Sequence, residues 1–315
     1  MAKDYLSTTG ALPNPKTKAF FSWLSRRYAY LRSLFTGITF NDIYVSTSGS
    51  DANDGLTPAT PIATLAELNS RITGFGGFCA IYLKRGDEWA VDTTVTLGFP
   101  NIIMTAYGSG NKPWINRFSK KYTSGWSPIV GSMQTRAEAS DIAWVRRSGW
   151  EESKSTATGF VFSKQTSTVN CNATPYSFFW SAGTLYINCN GTNANSLSIE
   201  GNVTSTSDGI VITDDLISVQ SIRVDGFGQD TANPHAPQAY QIRCSQGSDQ
   251  AAYIYDCEGY YGGTHLIAHY QGGGSGAITF IENCSAGFAL TGPAGETVFN
   301  TYGATGTYET YFKNC

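Results

Sequence analysis

The sequence is short of charge. Asp, Glu, Lys and Arg make up 14% of its 315 residues, against roughly 25% in an average soluble domain. A helical protein with a charged shell is excluded. Long apolar runs are also missing, so the sequence predicts neither a membrane-spanning segment nor a cleavable signal peptide at MAKDYLSTTG. Without a signal, the four N-x-S/T sequons (Asn172, Asn190, Asn202, Asn283) carry little meaning. There is no CxxC, no zinc-type spacing and no HExxH. The seven cysteines therefore read as small buried hydrophobes rather than disulfides or ligands. Gly272-Gly273-Gly274-Ser275-Gly276 lacks the GK[ST] ending of a phosphate loop and reads as a flexible turn. What fills the space is 41% hydrophobic residues, 34 glycines and many Ser, Thr and Asn. That suits short strands joined by tight turns around a sizeable core.

Charge is also placed unevenly. Lys3, Lys16, Lys18, Arg26, Arg27 and Arg32 face Asp4 alone in residues 1–40, a local +5, which leaves −8 of the net −3 for the remainder. Two readings stand: a solvated helix face, or a segment that docks on an acidic partner. Pro13 and Pro15 mark an extended arm. Phe20, Leu24, Tyr28, Leu31 and Phe35 then recur every three or four residues, widened by Phe21, Trp23 and Leu34, and predict an amphipathic helix stopped by Gly37. Its aromatic face packs either on its own domain or on a symmetry mate or attachment partner.

Beyond residue 42 the pattern is that of strands, at 43–46, 80–83, 94–97 and 102–107. One short helix is predicted after Pro61, where Thr64 and Glu67 form a T-x-x-E capping box. Asp51, Asn53 and Asp54 look like half of a calcium loop. The glutamate such a loop requires is absent from Leu56 to Ile62, so an Asx-rich turn is expected. The decisive signal lies in the last third. SIRVDGFG (221–228) aligns with AYIYDCEG (252–259), TFIENCSA (279–286) and TYFKN (310–314), which puts Asp225, Asp256, Asn283 and Asn314 on one register 31, 27 and 31 residues apart. Cys257, Cys284 and Cys315 follow by one. A strand-patterned period of this length means one coil of a solenoid per repeat. Asn and Asp suit the left-handed turn that each coil would make at the same place.

Several segments resemble the right-handed parallel β-helix superfamily that includes pectate lyases and bacteriophage tailspikes. The resemblance rests on IYVSTSGSDANDGLTPATPIATLAEL (43–68), IYLKRGDEW (81–89), IIMTAYGSGNKPWI (102–115) and LYINCNGTNANSLSIEG (185–201). It implies an all-β fold, a right-handed parallel β-helix solenoid over residues 43–315, preceded by an N-terminal helical attachment segment over residues 1–42. Together with the basic, aromatic leader it implies a tailspike or tail-fibre subunit, usually a homotrimer, made in the host cytoplasm and located in the virion tail. Its expected partners are host surface polysaccharide and, through residues 1–40, a tail or baseplate protein. The attachment candidates are Phe20, Trp23, Leu24, Arg26, Arg27, Leu31 and Phe35. Neither nucleic acid nor membrane insertion is expected. Because the sequence stops at Cys315 inside a repeat, the solenoid is expected to continue in a longer protein, with its last edge open.

Polysaccharide cleavage on such a fold needs paired carboxylates, or a base with a neutralising cation. The best-stocked stretch, 223–282, holds Arg223, Asp225, Asp230, His235, Arg243, Asp256, Glu258, His265, His269 and Glu282. Glu258, His265 and His269 are the catalytic candidates. Tyr260, Tyr261 and Tyr270 are candidates for stacking on sugar rings. In one strand His265 and His269 would lie about 13 Å apart and could not share a metal, so no metal or cofactor is assigned. Three functions remain open: a glycan-binding tail subunit, a free polysaccharide lyase or hydrolase, and a non-catalytic tail connector.

Overall fold

The computed structural model describes residues 6–7, 40–75, 78–91, 93–148, 161–203, 207–227, 242–244, 250–260, 267–271, 277–287, 299–303 and 308–315. The predicted leader helix and all seven attachment candidates, from Phe20 to Phe35, lie outside them, as does the Gly272–Gly276 turn. Among the described residues the protein is all-β apart from short helices, and the chain divides into two units. The first takes residues 1–116, 207–228 and 234–315, and the second takes 117–206 and 229–233.

Among the described residues the first unit has three sheets. Sheet I runs Phe40–Val45, Phe78–Lys84, Ile102–Tyr107, Ile217–Gln220, Ala251–Tyr255, Ala277–Glu282, Tyr308–Lys313, all parallel. Sheet II runs Val95–Leu97, Ile210–Ile212, Ile242–Cys244, Ile267–Gln271, Phe299–Gly303, and sheet III runs Glu88–Ala90, Trp114–Asn116, Arg223–Asp225, Glu258–Tyr260, Ser285–Gly287, again parallel throughout. From residue 78 onward the chain visits I, III and II in turn, circuit after circuit. Alternation puts one residue class inside: Ile81, Leu83, Ile102, Met104, Val219 and Ile254 from sheet I, Leu97, Ile210, Ile212 and Cys244 from sheet II, Trp89, Ile115 and Val224 from sheet III form one core. Parallel pairing of this kind needs side chains that fill a pleated surface on the buried side, which β-branched residues do well.

The bend from sheet I to sheet III sets the register. Ser221, Asp256, Asn283 and Asn314 sit there with φ of 55°, 53°, 54° and 53°, the left-handed region that costs an ordinary L-residue about 1–2 kcal/mol. Short polar side chains lower that cost by local hydrogen bonding. Here they also bond to one another: Asn314 Nδ2 donates to Asn283 Oδ1 at 2.9 Å, and Ser221 Oγ donates to Asp256 Oδ2 at 2.7 Å. The next position points inward, as Ile222, Cys257 and Cys284, all buried. Cys257 and Cys284 are free thiols.

The ladder predicted from sequence therefore needs one correction. Ala252 pairs with Thr279, and Thr279 with Thr310, as the aligned repeats imply, but its partner on the other side is Ile217 rather than Ser221. In that copy the turn residue is a serine and the inward residue an isoleucine, so matching by residue class slid to Asp225. That aspartate lies beyond the bend, in sheet III, paired with Asn116 and Tyr260. Two residues of the last strand have a partner on its outer edge. Leu6–Ser7 pairs with it antiparallel, at Phe312 and Tyr311.

The predicted helix is Leu65–Ile72, with Thr64 accepting from the Glu67 amide at 3.1 Å and with Leu65, Leu68 and Ile72 buried. The GSDANDG turn serves this helix. Asp51 Oδ1 accepts from the amides of Ala63 and Thr64, both at 2.9 Å, and its Oδ2 accepts from Thr64 Oγ1 at 2.8 Å. Asp54 Oδ1 accepts from the Leu56 amide and from Thr60 Oγ1. Burial nudges the Asp51 carboxyl upward, but the Thr64 and Ala63 hydrogen bonds outweigh it and hold the group below its usual value.

The second unit departs from the continuous solenoid expected over 43–315. It follows Trp114–Asn116 of sheet III and precedes Ile210–Ile212 of sheet II, so in chain order it occupies a connection between those two sheets. Its eight strands run in the order Lys120–Tyr122, Ile199–Val203, Ile142–Arg147, Val161–Lys164, Ser177–Ser181, Thr184–Asn188, Met133–Ala137, Ser127–Pro128. All neighbours are antiparallel except Val161–Lys164 with Ser177–Ser181. The physical cause is visible at Ala182 and Gly183, with φ of 47° and 79°. Two successive left-handed residues make the tight turn whose twist matches an antiparallel hairpin. The 185–201 segment, which resembles a β-helix element, thus supplies a hairpin strand, a 3-10 turn and part of Ile199–Val203. The unit has its own core around Phe162, Phe178, Leu185 and Ile187. Arg146, fully buried, pairs with Glu200 at 2.7 Å and lies over Phe118.

Two tests follow from the bend and the helix start. Asn283→Val is expected to lower stability by about 1–2 kcal/mol relative to Asn283→Gly, read by chemical denaturation; equal midpoints would remove the ladder's energetic role. Asp51 has a lowered folded-state pKa, so its contribution is full above the ordinary value of 3.8 and fades as pH falls through the lowered one. The stability gap between wild type and Asp51→Ala should therefore narrow on acidification, and a gap that is flat down to pH 2 would contradict it.

Candidate functional site

Sheet III carries the chemistry that can be placed. Its strands are in register, so Glu88, Trp114, Arg223, Glu258 and Ser285 form one outward row, about 4.8 Å from strand to strand. Ala90, Asn116, Asp225, Tyr260 and Gly287 form the next. Between them Trp89, Ile115 and Val224 point into the core.

Within the first row the Arg223 guanidinium lies 4.2 Å from the Trp114 ring centre and 5.4 Å from that of Tyr260. Arg223 also grips Asp225 Oδ2 through Nη2 at 2.6 Å and Nε at 3.0 Å. Asp225 is fully buried, and its Oδ1 accepts from the Tyr260 amide at 3.1 Å. It holds the strand pair together. Asn116 Nδ2 donates to Glu88 Oε1 at 2.6 Å.

At the bend, Lys112 Nζ reaches Asp256 Oδ1 at 2.9 Å and Glu258 Oε1 at 3.0 Å. Burial alone would lower the Lys112 pKa, but the two carboxylates more than offset it and the pKa rises. Lys112 is thereby held as a cation and is unsuited to serve as a base. Glu258 Oε2 has no partner among the described residues and is left as a hydrogen-bond acceptor next to the aromatic and guanidinium stack. Tyr260 is 5% exposed, with its hydroxyl 3.0 Å from Ser285 Oγ.

The sequence candidates separate accordingly. Glu258 and Tyr260 come together on sheet III. His269 and Tyr270 lie on Ile267–Gln271 of sheet II. His269 is in register with Cys244, Ile212 and Leu97, a column of core positions, while Tyr270 pairs with Tyr302. Tyr261, His265, Asp230 and His235 lie outside the described residues. Arg243 pairs with Asp208 at 2.9 Å, and Glu282 accepts from the Tyr253 hydroxyl at 2.8 Å. Sequence reasoning missed Lys112, Trp114 and Ser221. The first two are far from Glu258 in the chain and reach it only through strand pairing.

No family model and no curated protein matches the chain. Among solved structures it is similar to one described as the complex structure of XylC with xylose, with a TM-score of 0.54 at 14% identity over 83% of this chain and 53% of that one. The chain thus spans about half the length of that protein. A GH136 lacto-N-biosidase from Eubacterium ramulus superposes with a TM-score of 0.42 at 14% identity, over 85% of this chain and 37% of that one. A chain described as a glycoside hydrolase gives 0.43 at 10%, over 79% and 73%. The XylC likeness is one of fold.

The Lys112 bridge makes a specific prediction. Lys112→Met leaves two adjacent carboxylates without their cation and should cost about 1–3 kcal/mol at neutral pH, measured by urea denaturation. The loss should be smaller in the Glu258→Gln background; an identical loss in both backgrounds would mean that the bridge couples nothing.

Proposed function

We propose that the first unit is a right-handed parallel β-helix whose outer face recognises polysaccharide, and that the protein is a bacteriophage tailspike or tail-fibre subunit attached through residues 1–40. The observation that carries the glycan reading is the sheet III row. Strand stacking repeats Trp114, Arg223, Glu258 and Ser285 along a line at a spacing suited to an extended polymer. Aromatic and guanidinium faces meet the apolar faces of sugar rings, and an acceptor such as Glu258 Oε2 takes their hydroxyls. The cyclic order of the sheets supports the β-helix. XylC, a fold neighbour, is described in complex with xylose. The tail role draws on the aromatic, basic leader, which sets six cations against one anion.

For this row binding is favoured over cleavage, because Glu258 Oε1 is occupied by Lys112. A free lyase or hydrolase using Glu258, His265 or His269 would instead release reducing ends or unsaturated sugars. The test is retention of the full chain on an array of bacterial surface polysaccharides. At least one polysaccharide should be retained, and Trp114→Ala and Glu258→Gln should each weaken it by about tenfold, roughly 1.4 kcal/mol. Retention of none, or indifference to both substitutions, contradicts the glycan reading. Loss of virion incorporation on deleting residues 1–40 tests the attachment role separately.

A further inference from the structure

The second unit holds a cavity of about 280 Å³, near the lower end of the range for small-molecule sites. Its polar lining is Ser132, Gln134, Asn193 and Asn195, and Pro128 and Met133 supply apolar surface. None of the lining residues is charged. A phosphate or carboxylate ligand would want a cation there and a metal ion would want carboxylates. Amides, a hydroxyl and apolar carbon suit a neutral polyol.

The cavity is built to hold its shape. Gln134 is 8% exposed, and its Oε1 accepts from the Ala194 amide while its Nε2 donates to the Thr192 carbonyl, both at 2.9 Å. Asn195 clamps the backbone of Trp126 at both ends, accepting from its N–H at 2.9 Å and donating to its carbonyl at 2.8 Å. Asn193 Oδ1 accepts from the Asn195 amide at 3.0 Å. On the opposite rim the turn after Pro128 is closed by Ile129 N–H to the Met133 carbonyl and Met133 N–H to the Val130 carbonyl, both 3.0 Å. Gly131 completes it with φ of 58°, where a Cβ would come within 2.9 Å of Asn172 Oδ1. A rim fixed in this way loses little entropy on binding.

What remains unspent is as informative. Both hydrogens of Asn193 Nδ2, the Ser132 hydroxyl and one hydrogen of Gln134 Nε2 have no partner among the described residues. The turn also presents Ile129 and Val130, 50% and 55% exposed, next to Pro128. Within the cavity itself, Pro128 and Met133 set apolar surface beside these donors. That combination recognises a sugar, with one apolar face and hydroxyls at its edge.

We propose that this cavity binds a single neutral sugar unit, a second saccharide site carried entirely by the antiparallel unit and independent of the sheet III row. The test titrates the full chain with neutral mono- and disaccharides by saturation-transfer NMR and calorimetry. Asn193→Asp keeps the oxygen that caps Asn195 but removes both donors, and Ser132→Ala removes the hydroxyl. At least one sugar should bind, and each substitution should weaken it by about three- to tenfold with the melting temperature unchanged. Failure of every neutral sugar to bind overturns the proposal, as does a Kd that neither substitution moves. Glu258→Gln should leave this Kd unaltered. A Kd that follows Glu258→Gln and ignores Asn193→Asp would place the sugar elsewhere and sink the cavity, whereas loss of polymer retention alone would leave it standing.

Discussion

Four circuits of the first unit share one constraint: on leaving sheet I the chain must bend at the same register. Ser221, Asp256, Asn283 and Asn314 meet it by accepting a left-handed backbone that most residues resist. Once the bend is fixed, alternation does the rest. The residue after it points inward, the next begins sheet III, and each strand lies parallel on its predecessor. A slip of one residue would turn Val219 and Ile254 out of the core and bring Ser218 and Tyr253 into it.

The same constraint assembles the sheet III row. Lys112, Arg223 and Glu258 come from three circuits and are neighbours because parallel pairing sets Trp114, Arg223 and Glu258 side by side. Stacking of like positions would crowd like charges, and the row avoids this by alternating types. Trp114 lies beside Arg223, Arg223 beside Glu258, and Lys112 bridges Asp256 and Glu258. The resulting face is polar and aromatic, with its two cations each held by carboxylates. On the proposed reading, such a surface would take hydroxyl-rich polymers rather than carry acid–base chemistry on this row.

Much of this was legible in the sequence, for identifiable reasons. The helix start at Thr64, the Asx turn at Asp51 and the strand Ile102–Tyr107 are local, and local hydrogen bonding or alternation determines them. The aligned copies at 252–259 and 279–286 carry the same residue classes at the same offsets. The 221 copy did not, since Ser221 and Ile222 replace the expected pair of amide and cysteine, and the register was misplaced onto Asp225. The antiparallel unit escaped notice because its strands are as short and as Ser/Thr-rich as the surrounding ones. Strand direction is set by turns such as Ala182-Gly183, not by composition. Of the residues gathered on sheet III, Glu258 and Tyr260 were candidates from the sequence, whereas Lys112 and Trp114 were hidden by sequence distance. The cavity of the second unit gave no signal at all, since its amides are ordinary loop residues until the fold gathers them.

The register itself is open to direct measurement by interstrand amide nuclear Overhauser contacts in deuterated, amide-protonated protein. The expected contacts place residue 217 beside 252, 252 beside 279, and 279 beside 310, with parallel geometry throughout. Contacts that place Asp225 beside Asp256, or that show antiparallel pairing among these strands, would contradict it.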